Sequence, residues 1–137
     1  MLTNEEKQAL IDKAVQAYHK AYAPYSKYSV GAALVADSGK IYDGVNIENA
    51  VYPVTICAQR VAIFKAVSEG EKSFSTLAVV TKNGGTPCGS CRQVMAEFNP
   101  HALVLIANVK GELVGEYRVH ELLPSAFGDG DLEEARE

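Results

Sequence analysis

Apolar residues recur at helical spacing near the start of the chain, where Leu10, Ile11, Ala14, Val15, Tyr18 and Tyr22 mark one face of a helix. Thr3 followed three residues on by Glu6 has the form of a capping box, so the helix should begin there. It should stop near Ala23, because Pro24 disfavours helical geometry in the residue before it. Ser29 to Ala36 and Ile41 to Val45 read as strands, and Asp37-Ser38-Gly39 between them makes a hairpin turn. Residues 46–56 lack periodicity and contain Pro53. A second helix is expected from Cys57 to Glu69, with Gly70 closing it. Thr76 to Val80 is nearly all apolar, as in a strand buried at the middle of a sheet. Pro87 should open a helix that runs to about Phe98. Leu103 to Ala107 and Leu113 to Tyr117 are further strands, and Val119 to Leu123 fits a helical turn before Pro124.

A hairpin followed by alternating helices and strands implies a mixed five-stranded sheet covered on both faces, a three-layer α/β/α sandwich. The 137 residues suit a single domain spanning 1–137. Residues 128–137 are acidic and are expected to form a solvated, flexible tail with some helical character. Composition narrows the function. A 47% apolar content is that of a globular protein, and a net charge of -4 argues against a nucleic-acid partner, which needs a cationic surface. The polar, acidic start lacks the basic and apolar regions of a signal peptide, and no apolar run approaches membrane-spanning length. The expectation is a cytoplasmic protein acting on a small molecule.

The three cysteines cannot all pair with one another, which turns attention to metal or redox chemistry. Cys57, Cys88 and Cys91 all fall at expected helix N-termini, where thiolates are favoured. Three protein ligands on zinc leave a fourth position open, the catalytic pattern. The spacing by itself also suits a thioredoxin-like pair at Cys88 and Cys91, or buried thiols that only pack.

The flanking residues favour zinc. Cys57-Ala58-Gln59-Arg60 and Pro87-Cys88-Gly89-Ser90-Cys91-Arg92-Gln93 resemble the two zinc motifs of nucleic-base deaminases, with cysteine as the first ligand. Ala23-Pro24-Tyr25-Ser26, Tyr28 to Leu34, Asn46-Ile47-Glu48-Asn49-Ala50 and Leu122-Leu123-Pro124-Ser125-Ala126-Phe127 extend the likeness over nearly the whole chain. On these motifs the sequence is similar to the small, homotetrameric cytidine deaminases.

That resemblance implies one Zn²⁺ per chain on Cys57, Cys88 and Cys91. Arg60 would hydrogen-bond the ligand sulfurs and offset their charge. Tyr28, Asn46, Glu48 and Ala58 would contact the nucleoside, with Asn46 and Glu48 gripping the sugar. Ala50, Tyr52 and Phe127 would enter a neighbouring subunit's site. The implied reaction is hydrolysis of cytidine and 2′-deoxycytidine to the uridines, in pyrimidine salvage.

One residue departs from the pattern. The family places a glutamate two residues after the first ligand, and this chain has Gln59. An amide has no usable pKa near neutrality and cannot shuttle protons, although it donates and accepts hydrogen bonds in nearly the same shape. Low activity is therefore expected. The otherwise complete motif set favours a deliberate exchange that traps substrate, with a natural variant as the other origin. Competing functions are deamination of an N4-substituted cytidine or a blasticidin-like substrate, and a non-catalytic nucleoside-binding protein.

Overall fold

A computed structural model of the chain describes residues 1–136; Glu137, the last residue of the expected tail, lies outside them. Helix α1 (Asn4–Tyr18) is followed by strands β1 (Gly31–Ala36) and β2 (Ile41–Val45), then by a short 3-10 turn at Tyr52–Val54. Helix α2 (Ala58–Ser68), strand β3 (Phe74–Thr81) and helix α3 (Gly89–Phe98) come next. Strands β4 (Leu103–Asn108) and β5 (Leu113–Arg118), with the short helices α4 (Val119–Leu122) and α5 (Asp129–Ala135), complete the chain. The five strands form one sheet in the order β2-β1-β3-β4-β5. Only β3 and β4 run parallel; every other neighbouring pair is antiparallel. The expected mixed sheet is the one observed.

Alternation along the central strands sorts the core into two layers. Leu34, Leu77, Val79, Val104 and Ile106 pack on one face with Ile63 of α2 and Met95 of α3. Ala33, Ala78, Val80 and Leu105 point to the other face and pack with Leu10, Ile11 and Ala14 of α1. The helices thus lie on both sides of the sheet.

Two glycines set how closely the helices approach. A Cβ at Gly31 would stand 2.2 Å from the Ala14 carbonyl oxygen, so α1 lies directly on the start of β1. A Cβ at Gly44 would stand 2.4 Å from the Ala58 carbonyl oxygen and 2.6 Å from the Ala62 nitrogen, so the first turn of α2 lies directly on β2. Ala58 and Ala62 are themselves fully buried. Small residues on both sides of this contact let helix and strand backbones nearly touch.

The ends of elements differ from the sequence expectation where long-range bonds intervene. The capping box at Thr3 and Glu6 forms, but α1 ends at Tyr18, short of Ala23. The Tyr22 N–H donates to the Asn46 carbonyl at 3.0 Å, and the Glu48 N–H donates to the Tyr22 carbonyl at 2.9 Å. Residues 19–23 are therefore drawn out of the helix to pair with the loop that follows β2. Likewise β1 begins at Gly31 rather than Ser29, because the Asn46 side chain takes the Val30 N–H at 2.9 Å and donates to the Tyr28 carbonyl at 2.8 Å. The third helix starts after Cys88 rather than at Pro87, with Cys88 as its N-cap.

Replacing Gly44 by valine should destabilise the protein by about 1–3 kcal/mol, since the added carbons meet backbone rather than a flexible side chain. Denaturant unfolding of parent and Gly44→Val measures the difference. The same change at Gly128, whose Cβ meets nothing within 4 Å, should have little effect.

Candidate functional site

The three cysteines, separated in sequence, meet at the N-termini of two helices. Cys57 is the N-cap of α2 and Cys88 the N-cap of α3, and Cys91 lies in the first turn of α3. Both helices follow strands of the same sheet, so their first turns open at one end of it. The three Sγ atoms lie within 4.8 Å of one another, with Cys57–Cys88 at 3.9 Å and Cys88–Cys91 at 3.5 Å. A disulfide would need about 2.05 Å. Tetrahedral thiolate ligands at about 2.3 Å from zinc would be about 3.8 Å apart, close to the observed separations. The donor set is soft, small and three-fold, which fits zinc with one position left open.

The charges around the sulfurs point the same way. The Cys57 thiol is lowered to about 5, first by the hydrogen bond from Cys91 and further by Arg60, although burial opposes the shift. The Cys91 thiol is pushed up, first by its bond to Cys57 and then by burial. Without a cation the three sulfurs thus do not all favour the thiolate, Cys57 tending toward it and Cys91 away from it. A divalent cation would remove that restriction by coordinating all three as thiolates. The Arg60 Nη2 donates to Cys57 Sγ at 3.3 Å, the sulfur contact expected of it, while its buried Nε has no partner.

The sulfurs border a chamber of about 310 Å³ whose walls include Tyr28, Asn46, Glu48, Gln59, Thr81 and Thr86. Gln59 is only 5% exposed, and its amide Oε1 is buried without a hydrogen-bond partner. Asn46 is 7% exposed and is partly committed to holding the entry to β1, as described above. The Glu48 carboxylate accepts the N–H groups of Tyr25 and Ser26, each at 3.0 Å, and the Ser26 hydroxyl. These bonds, led by the Ser26 hydroxyl, hold its carboxyl below the usual range. The Tyr28 hydroxyl donates to Asn83 Oδ1 at 3.2 Å.

The fold thus gathers Cys57, Cys88, Cys91, Gln59, Tyr28, Asn46 and Glu48 around one chamber. Arg60 stands behind Cys57. Ala58 is fully buried beneath β2 and is not among the chamber's lining residues. Ala50, Tyr52 and Phe127 lie away from it; Tyr52 borders an adjoining hollow of about 350 Å³ with Tyr25, Ser26, Glu48, Asn49 and Thr55. Tyr52 and Phe127 are 70% and 56% exposed.

Some lining residues carried no sequence signal as site residues. Thr81 ends the apolar strand β3, and its Oγ1 accepts the Gly85 N–H at 2.7 Å. Gly85 reads only as a chain break, yet a Cβ there would stand 2.6 Å from the Tyr28 hydroxyl. Arg92 locks the cysteine loop. It donates to the Pro87 carbonyl at 2.8 Å, to the Leu122 carbonyl at 2.8 Å and to Thr86 Oγ1 at 3.2 Å.

Comparison with known proteins agrees with this geometry. Residues 4–107 match the model of the cytidine and deoxycytidylate deaminase zinc-binding region. A cytidine deaminase of Sporosarcina psychrophila is 51% identical over 133 residues, covering 95% of this chain and 97% of that protein. The crystal structure of a cytidine deaminase from Burkholderia pseudomallei superposes with a TM-score of 0.84 at 44% identity, over 92% of this chain and all of that one. A blasticidin-S deaminase of Bacillus cereus is 35% identical over 112 residues, covering 74% of this chain and 79% of its own length.

Two measurements check the metal centre. Zinc analysis should find one ion per chain, and Arg60→Gln should weaken zinc retention against a competing chelator by about 10–100-fold. In metal-stripped protein, Cys57 should be alkylated readily at neutral pH. Because its thiol is lowered, the thiolate persists until the pH falls through about 5, and the reaction should fade there. Added zinc should suppress alkylation at every pH tested.

Proposed function

The chain belongs to the zinc-binding cytidine and deoxycytidylate deaminase family, and we propose that it binds cytidine and 2′-deoxycytidine in the chamber beside the cysteines but deaminates them slowly. The observation that carries this reading is that one chamber joins the metal ligands to the amide of Gln59 and to the sugar-directed pair Asn46 and Glu48. Its volume of about 310 Å³ lies at the small end of ligand pockets, suited to a single nucleoside. No lysine or arginine is among its lining residues, so nothing there favours a phosphate group. The acidic chain also disfavours a polynucleotide substrate.

Hydrolytic deamination joins water oxygen to C4, breaks the C4–N4 bond and releases ammonia. N3 must gain a proton on the way, and so must the leaving amine. Cys57, Cys88 and Cys91 would hold Zn²⁺, which would supply the Lewis acidity that activates water near neutral pH. Arg60 offsets the excess negative charge of three thiolates at Cys57. Asn46 and Glu48 orient the sugar, and Tyr28 borders the nucleoside. Gln59 occupies the place from which a carboxylate would move protons between water, N3 and the amine. Its amide can hold a ligand by hydrogen bonds but cannot complete those transfers.

The working unit is a homotetramer in the cytoplasm, serving pyrimidine salvage. Val51, Tyr52 and Val54 of one loop are each more than half exposed, as is Phe127 near the end of the chain, and exposed apolar surface of this kind favours assembly. Ala50, Tyr52 and Phe127 then complete a neighbouring chain's chamber. Among the described residues, no helix is long and apolar enough to cross a membrane.

The test compares parent and Gln59→Glu, both zinc-loaded, by the loss of cytidine ultraviolet absorbance. The glutamate variant should turn over at least roughly 10²–10⁴-fold faster, the range of general acid–base catalysis. Equal rates would refute the assigned role of Gln59. If both proteins hold zinc and neither acts on cytidine, the likeness to blasticidin-S deaminase makes that antibiotic the next substrate, followed by N4-substituted cytidines.

A further inference from the structure

Glu48 does not stand free at the sugar end of the chamber. A carboxylate accepts at about four lone-pair positions. Three donors already meet this one: the N–H groups of Tyr25 and Ser26 on Oε1, and the Ser26 hydroxyl on Oε2. The same Ser26 oxygen accepts the Tyr28 N–H at 3.0 Å. Ser26 therefore bonds to two residues of the chamber wall, Glu48 and Tyr28, and it lines the chamber and the adjoining hollow alike.

The backbone is bent to make this possible. Lys27 lies between Ser26 and Tyr28 with φ of 60°, a left-handed conformation that a lysine adopts at an energetic penalty. Its N–H closes the turn on the Ala23 carbonyl at 3.1 Å. The bend brings the Tyr28 N–H back onto the Ser26 hydroxyl. A strained residue is retained where the surrounding bonds over-determine it, and here those bonds converge on Ser26 and Glu48.

We propose that Ser26 is a positioning residue for sugar recognition. Its hydroxyl fixes the Glu48 carboxylate so that one lone pair on Oε2 remains directed at a sugar hydroxyl, and it ties that carboxylate to the strand entry carrying Tyr28. Without the hydroxyl, Oε2 loses its anchor and the carboxylate can turn about the two backbone donors that remain. The role rests on the chamber being a nucleoside site. It adds that discrimination for a hydroxylated sugar resides in Ser26 as much as in Glu48.

The slow turnover expected of the parent allows direct titration of substrate by calorimetry on zinc-loaded protein. Cytidine is compared with 2′,3′-dideoxycytidine, which carries the same base without the two ring hydroxyls. Ser26→Ala should weaken cytidine binding about tenfold, the usual worth of a hydrogen bond to a charged group. It should change dideoxycytidine binding by less than about twofold. Ser26→Thr, which keeps the hydroxyl, should restore the preference. Equal weakening of both ligands, or an unchanged cytidine affinity, overturns the proposal. Glu48→Gln separates the two layers of the argument. If it abolishes the preference while Ser26→Ala leaves it intact, the sugar site stands and the role of Ser26 falls. If Glu48→Gln leaves the preference untouched, or the parent binds neither ligand, the nucleoside reading falls and takes the proposal with it.

Discussion

The site depends on how closely α2 lies against the sheet. At Gly44 there is no room for a side chain, because the carbonyl of Ala58 and the amide of Ala62 fill the space a Cβ would take. That contact sets the depth of the first turn of α2, and the first turn carries Cys57, Gln59 and Arg60. Thiols on two separate helices come within reach of one ion only if both N-termini are fixed to within a fraction of an ångström. Backbone packed on backbone provides such a stop, since neither partner can change rotamer to relieve pressure. On the α3 side, Arg92 performs the matching task by tying the cysteine loop to the carbonyl of Leu122.

Electrostatics then decide what this fixed frame can do. Three sulfurs within 4.8 Å of one another repel when charged, and the helix N-termini and Arg60 are the groups that relieve the repulsion. A carboxylate at position 59 would add another negative charge to the same chamber. The amide that stands there avoids it, and instead leaves a buried carbonyl oxygen without a donor. Such an orphaned acceptor costs about 1–3 kcal/mol. A ligand that brings a donor to this oxygen recovers part of that energy.

Much of this was legible in the chain before its coordinates. Helical spacing, apolar runs and turn residues located α1 to α3 and the five strands to within a few residues, although β5 buries no residue and the 3-10 turn at Tyr52–Val54 fell in a segment without periodicity. The cysteines stood out through their spacing and their place at helix starts. What periodicity missed has a common cause. Helix α1 stops at Tyr18 because residues 22 and 46–48 bond to each other, and β1 starts late because Asn46 holds its approach. Ser26 and Gly85 join the chamber wall through partners far away in sequence, Glu48 and Tyr28, whereas Thr81 bonds Gly85 only four residues on. A hydroxyl or a missing side chain carries no periodic signature. Asn46 and Glu48 were visible only through a likeness of motifs, since their chemistry alone suits an ordinary turn.

The near-identity in shape between the Gln59 side chain and a glutamate has an evolutionary side. The codons for the two residues differ only in their first nucleotide. Nothing else in the chamber needs to be rebuilt for the exchange to run in either direction, because the neighbours of Gln59 are set by α2 and the sheet rather than by its terminal atoms. A gene for this chain thus stands a single point substitution away from a carboxylate at this position.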